Sequence, residues 1–199
     1  MSLLLETIRL ENGHLQNLPW HQQRLNRSQQ ALFADFEPIA LEEAIAVPEQ
    51  FRPNGIFKCR LTYGQRIEKI EFEPYTFRTI RSLQLVDAGH IEYRHKYADR
   101  SALEALFFKR EKADDVLLVK NGVLTDTSYA NVAFFDGEKW LTPALPLLPG
   151  TCRERLLAEG KIREADIRLA DILFFKKIKL FNAMTGWERG SEIPCEKIF

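Results

Sequence analysis

The feature that most limits what this chain can fold into is the run from Val116 to Thr142. Four short apolar stretches, Val116–Val119, Val123–Thr125, Asn131–Phe135 and Trp140–Thr142, are separated by turn chemistry. Asn121-Gly122 and Asp136-Gly137 supply residues that tolerate positive φ, which tight hairpins need. A run of this kind predicts consecutive strands. Pro149-Gly150 then opens a predicted helix over Thr151–Ala158, ended by Gly160. A strand over Ile162–Ile167, a short helix over Ala170–Lys176 and a buried strand over Lys179–Met184 complete the second half.

The first part reads as a smaller α+β unit. Residues 2–11 alternate towards a strand, and Asn12-Gly13 makes a turn. Pro19 sits where a helix begins, and His21–Phe33 continues it with a sparse apolar stripe of Leu25, Leu32 and Phe33. A second helix is predicted over Ile39–Val47, stopped by Pro48. Ile56–Tyr63 and Ile67–Phe72 read as strands about Gly64. The expected division is a small domain over 1–75, a linker over 76–82 and a larger mixed domain over 83–199, which opens with a strand at Leu83–Ala88. Ser101–Lys112 has Leu103, Leu106 and Phe107 at helical spacing.

Composition removes several function classes. Lys plus Arg is 28 and Asp plus Glu is 28, so the formal net charge is zero. Phosphate backbones are held by an excess of basic residues, which argues against a nucleic-acid partner. No apolar run approaches the ~20 residues of a membrane span. The start, MSLLLETIRL, has no basic region and reads as a poor signal peptide. Cys59, Cys152 and Cys195 are widely spaced and odd in number, so neither a zinc site nor a disulfide framework is expected, and no metal. A cytoplasmic protein is the expectation.

Five places can carry chemistry. Lys96 lies in Tyr93-Arg94-His95-Lys96-Tyr97-Ala98-Asp99-Arg100, among positive neighbours that lower an amine's pKa. Such an amine can condense with an aldehyde; the competing reading is a solvated basic loop. Asp126, in Thr125-Asp126-Thr127-Ser128-Tyr129-Ala130-Asn131, can hold a proton on a heterocyclic nitrogen or only close a turn. Gly150-Thr151-Cys152 at a helix start offers N–H groups to a phosphate or is a simple cap. Arg24 can grip phosphate or pair on a helix surface, and Arg60, within an apolar strand, can take a substrate carboxylate or an acidic neighbour.

The order and spacing of these places resemble the class IV aminotransferases, the fold-type IV pyridoxal-phosphate enzymes. That family includes branched-chain aminotransferase, D-amino-acid aminotransferase and aminodeoxychorismate lyase. The resemblance runs from about Leu5 to Trp187 and is strongest over Val116–Arg153, with Thr-Asp-Thr-Ser-Tyr-Ala-Asn-Val, Trp140-Leu-Thr-Pro and Leu148-Pro-Gly-Thr-Cys-Arg. It implies an α+β, two-domain D-amino-acid aminotransferase-like architecture with a truncated N-terminal domain, a site between the domains and a homodimer. Pyridoxal 5′-phosphate (PLP) is the implied cofactor. Lys96 is the implied Schiff-base lysine and proton carrier, and Asp126 the ring-nitrogen acid. Arg24, the N–H groups of Thr151 and Cys152, and Asn182 and Ala183 are the implied phosphate contacts. Arg60 resembles a substrate-carboxylate position.

Three departures stand out. The acid is usually Glu and here is Asp126. The opening strands of typical members are absent. Met184 replaces a Thr that often follows the phosphate turn. The implied activity is transamination of an amino-acid-like amine. The alternative is 4-amino-4-deoxychorismate lyase, and a further one is a non-catalytic member acting as a binding protein. Tyr97, Tyr129, Phe181 and Trp187 are read as pocket, interface or core.

Overall fold

A computed structural model describes residues 2–199. The chain divides into two compact units. One comprises the residues up to Phe77 together with His95–Asp99, and the other Arg78–Arg94 with Arg100–Phe199.

The first unit is a four-stranded antiparallel sheet, order β2-β1-β3-β4, formed by β1 (Leu4–Glu11), β2 (His14–Leu15), β3 (Ile56–Tyr63) and β4 (Ile67–Pro74). Asn12 and Gly13 take φ of 51° and 79°, the paired left-handed conformation a two-residue hairpin turn requires. Helix α1 (Leu18–Leu32) covers one face. Leu4, Ile8, Leu25, Cys59, Leu61 and Tyr63 form the core there. The expected helix over Ile39–Val47 shortens to α2 (Leu41–Ala44). Ile39, Leu41 and Ile45 are all buried, so the chain meets the core through short irregular segments rather than one helix face.

The second unit carries an eight-stranded mixed sheet. Strands β5 (Leu83–Asp87) and β6 (Asp115–Lys120) pair in parallel, with helix α3 (Ser101–Phe107) in the chain between them. A 3₁₀ turn, Phe108–Arg110, ends the helix earlier than its spacing predicts. The predicted hairpin strands form as β6, β7 (Val123–Thr127), β8 (Asn131–Phe135) and β9 (Trp140–Pro143). Asn121 and Gly122 again pair φ of 53° and 77°. Helix α4 (Thr151–Ala158) follows, then a three-residue edge strand β10 (Arg163–Ala165) and β11 (Lys177–Phe181). The short helix expected at Ala170–Lys176 is a 3₁₀ segment, Leu169–Phe174. A further strand, β12 (Glu192–Pro194), unforeseen from the sequence, pairs with β11.

Strand β8 is the junction of this sheet. It bonds β9, β11 and, through the single pair Asp126–Asn131, β7. Leu117, Leu124, Val132, Phe134, Ile178 and Leu180 pack on one side of it, and Ala133, Cys152, Leu156 and Phe181 on the other. Full burial of such side chains stabilises by roughly 1.5–3 kcal/mol each. That rigidity is what can hold polar groups still at the ends of β7, β8 and β11.

Candidate active site

In the second unit the polar ends of three strands converge. Asp126, near the end of β7, pairs with Asn131 at the start of β8, and Asn131 pairs with Phe181 at the end of β11. Asp126 is 5% exposed. Its Oδ1 accepts from Asn131 Nδ2 at 2.8 Å and its Oδ2 from the Leu148 N–H at 2.9 Å. Burial pushes this carboxyl up to about 6, against the opposing pull of those two donors and of the Arg153 charge. A carboxyl at about 6 is mostly ionised at neutral pH and can accept a bond from a protonated ring nitrogen.

Leu148 leads directly into α4. The helix starts at Thr151 from an extended Gly150, and no side chain caps it. The first N–H groups of any helix lack partners within it and carry the positive end of its dipole. Thr151 and Cys152 are buried at that start. A Cβ on Gly150 would stand 2.1 Å from Asn131 Oδ1, so the backbone here approaches its neighbour as closely as glycine alone permits.

Past β11, Asn182 and Ala183 form a tight turn. Asn182 Oδ1 accepts from the N–H groups of Met184 at 2.8 Å and Thr185 at 3.0 Å, and its Nδ2 donates to Tyr129 O at 3.4 Å. The hydroxyl that Met184 lacks stands one residue on, where Thr185 Oγ1 accepts from the Asn182 N–H and donates to Gly186 O at 3.1 Å. Asp126, the α4 start and the Asn182 turn are therefore brought together in one unit.

The first unit holds Lys96 and Arg24. Lys96 is partly buried, and its carbonyl accepts from the Leu5 N–H at 2.8 Å. Tyr97 bridges to Leu4, and the Ala98 N–H donates to Leu3 O at 2.9 Å, so β1 pins the lysine's backbone on both sides. Arg24 is 6% exposed on α1 and pairs with Glu6 of β1, through Nε at 2.8 Å and Nη2 at 2.5 Å. His21 Nδ1 meets the same carboxylate at 2.6 Å. Burial acts to raise the pKa of Glu6, but the Arg24 charge and the hydrogen bonds from His21 and Arg24 outweigh it and hold the acid at about 2. Burial lowers the pKa of His21, and the charges of Arg24 and Lys96 add to that. Arg24 thus lies in a buried ion pair rather than on a helix surface.

Glu6 and His21, unforeseen from the sequence, complete this cluster. The signal was present in the polar residues. His21, Arg24, Leu25, Ser28 and Gln29 fall at i, i+3, i+4, i+7 and i+8, and all five are buried. The apolar stripe of α1 is sparse because its inward face is largely polar.

Arg60 is not brought to this cluster. On β3, Cys59, Leu61 and Tyr63 face the core, so Arg60 projects to the opposite face, in register with Thr7 and Glu71. The four aromatic residues pack in cores: Tyr97 on the first, Tyr129 on the second, and Phe181 with Trp187 at 5.4 Å between centroids. Cys152 is a buried thiol that burial pushes up to about 11, inert as a nucleophile. All three cysteines are free. Among the described residues there is no cluster of His, Cys, Asp and Glu able to hold a metal ion, and no helix long and apolar enough to cross a membrane.

The family model for amino-transferase class IV matches residues 3–193, and the chain belongs to that family of PLP-dependent enzymes. An uncharacterized protein of Haemophilus influenzae is 40% identical over 185 residues, 92% of this chain and 98% of its own. A crystal structure from Haemophilus somnus, provisionally named a 4-amino-4-deoxychorismate lyase, is 32% identical with a TM-score of 0.88, covering 94% of this chain and 98% of that one. A hypothetical aminotransferase of Mycobacterium tuberculosis, solved with PLP bound, shares the fold at a TM-score of 0.77 and 21% identity, covering 96% of this chain and 80% of that one. The architecture is thus that of the class IV PLP enzymes. The residues present fit the cofactor: a buried carboxyl near 6 for the ring nitrogen, and a helix start without a side-chain cap, where a Cβ on Gly150 would displace the Asn131 amide.

Proposed function

We propose that the chain acts on the amino group of an amino acid or similar primary amine, with Lys96 as covalent anchor of PLP and carrier of the α-proton. The observation that carries this reading is Asp126, a buried carboxyl at about 6 with neutral hydrogen-bond donors, tied to an uncapped helix start. When bound, PLP supplies a ring that takes up negative charge developing at the substrate's α-carbon. Lys96 Nζ removes the proton from that carbon. Asp126 holds the proton at the ring nitrogen. The N–H groups of Thr151 and Cys152, the Arg24 guanidinium and the Asn182-Ala183 turn hold the phosphate. Arg60 takes a carboxylate of the substrate. The working form is a cytoplasmic homodimer, without nucleic-acid or membrane partners.

Two outcomes use this machinery. In transamination, Lys96 delivers the proton away from the α-carbon and water releases a keto acid. In the lyase reaction, the charge at the α-carbon expels a side-chain fragment, so that aminodeoxychorismate yields 4-aminobenzoate and pyruvate. The near full-length likeness to the Haemophilus somnus structure favours the lyase reading, which therefore leads. Borohydride reduction of the holoenzyme followed by peptide mapping tests the anchor: the adduct is expected on Lys96, and Lys96→Ala is expected to lose both adduct and turnover. Production of 4-aminobenzoate with equimolar pyruvate from aminodeoxychorismate supports the lyase. Exchange of amino groups between amino acids and keto acids, without that product, replaces it with transamination.

A further inference from the structure

We infer that Asn131 is a positioning residue that locks the Asp126 carboxylate and the start of α4 into one rigid frame, so that the ring-nitrogen and phosphate ends of PLP are held in register. The inference rests on the reading of Asp126 and α4 given above.

One amide serves both ends of this frame. Asn131 is 7% exposed. Its Nδ2 donates to Asp126 Oδ1 at 2.8 Å and to Leu148 O at 2.9 Å. The Leu148 N–H donates back to Asp126 Oδ2 at 2.9 Å. Carboxylate, amide and peptide therefore close a ring of three hydrogen bonds, which leaves the carboxylate one orientation. The two residues are also backbone partners in the single pair that joins β7 to β8. The other end of the amide faces the helix. Asn131 Oδ1 occupies the space where a Gly150 Cβ would stand, 2.1 Å away. Gly150 has φ −76° and ψ 145°, a conformation open to any residue. Its lack of a side chain answers a demand for space, and Asn131 makes that demand. The acid here is Asp, one methylene shorter than Glu, so its reach depends on how it is held.

The test reads the ring nitrogen directly, in holoenzyme loaded with PLP labelled with ¹⁵N in the ring. The wild type is expected to give a protonated ring-nitrogen resonance at neutral pH, and Asp126→Asn to lose it. Asn131→Ala removes a donor to the carboxylate, which makes Asp126 a stronger competitor for the proton and less firmly aimed. The ratio of protonated to unprotonated ring nitrogen is expected to fall about tenfold. Gly150→Ala pushes the amide off the carboxylate and is expected to move the resonance the same way. It therefore decides the matter if Asn131→Ala does not fold. Gly150→Ala is also expected to weaken PLP binding about tenfold alone but less than about twofold in the Asn131→Ala background, because the two changes share one contact. An unchanged resonance in both Asn131→Ala and Gly150→Ala, with Asp126→Asn shifted, overturns the role of Asn131 alone. An unchanged resonance in Asp126→Asn overturns the reading of Asp126 itself.

Discussion

Glu6 and Asp126 are both buried carboxylates, each met by side-chain donors, yet they titrate in opposite directions. In the first unit, Glu6 receives the charged fork of Arg24 as well as His21, and stays ionised down to about 2. In the second, Asp126 receives an amide and a peptide N–H, both neutral, and burial carries it up to about 6. The difference lies in charge, since a neutral donor returns only part of what desolvation removes. A carboxylate beside a resident cation stays ionised, because the cation returns the charge stabilisation that burial removes. A carboxylate held by neutral donors is still able to accept a proton or a protonated heterocycle, which is the situation of a binding group.

The largest effect that separates the two is on stability. Glu6→Gln strands the buried Arg24 without a counter-charge and is expected to cost about 3–5 kcal/mol. Asp126→Asn leaves no charge unpaired and is expected to cost less than about 1 kcal/mol at pH 5 or below. Denaturant titration measures both, and equal losses would break the comparison.

The pH dependence is expected to have opposite signs. The folded pKa of Glu6 lies below its ordinary 4.5, so its contribution is complete above that value. About 3 kcal/mol is lost as pH falls from 4.5 towards 2. The folded pKa of Asp126 lies above its ordinary 3.8, so a comparable loss of about 3 kcal/mol develops as pH rises from 3.8 through about 6. In protein stripped of cofactor, Asp126→Asn is expected to abolish that second decline. A stability curve unchanged by the substitution would place the titration elsewhere.

A smaller effect concerns Arg60, on the sheet face opposite the Glu6 cluster. Arg60→Ala is expected to raise KM for a carboxylate-bearing substrate about tenfold, the loss of one charge-assisted hydrogen bond. PLP binding is expected to be unchanged. An unaltered KM would leave Arg60 as a member of a charged strand face that includes Lys58, Glu71 and Glu73. The smallest effect is at Lys58, a partly buried side chain whose partner Glu73 is exposed. Lys58→Ala is expected to change stability by about 0.5 kcal/mol or less in the same denaturant titration.

Local chemistry accounts for what the sequence made legible. The Asn12-Gly13 and Asn121-Gly122 turns, the alternating strands beside them and the start of α4 at Thr151 depend on neighbours within a few residues. Motif order and spacing likewise pointed to the family, and proposed Lys96, Asp126 and Thr151-Cys152 as its site. Elements that depend on distant partners were less legible. The segment about α2 carries helical spacing but buries its apolar residues mostly without a helix, and β12 exists only because β11 offers it an edge.

By itself, then, the sequence determined the strand run, its turns and the family. Only the tertiary structure decided that β1 holds the backbone of Lys96, that Glu6 claims Arg24, and that one asparagine touches both Asp126 and Gly150. Turn conformation is set by the residues of the turn. The charge state of a buried acid is set by whatever the fold carries to it from elsewhere in the chain.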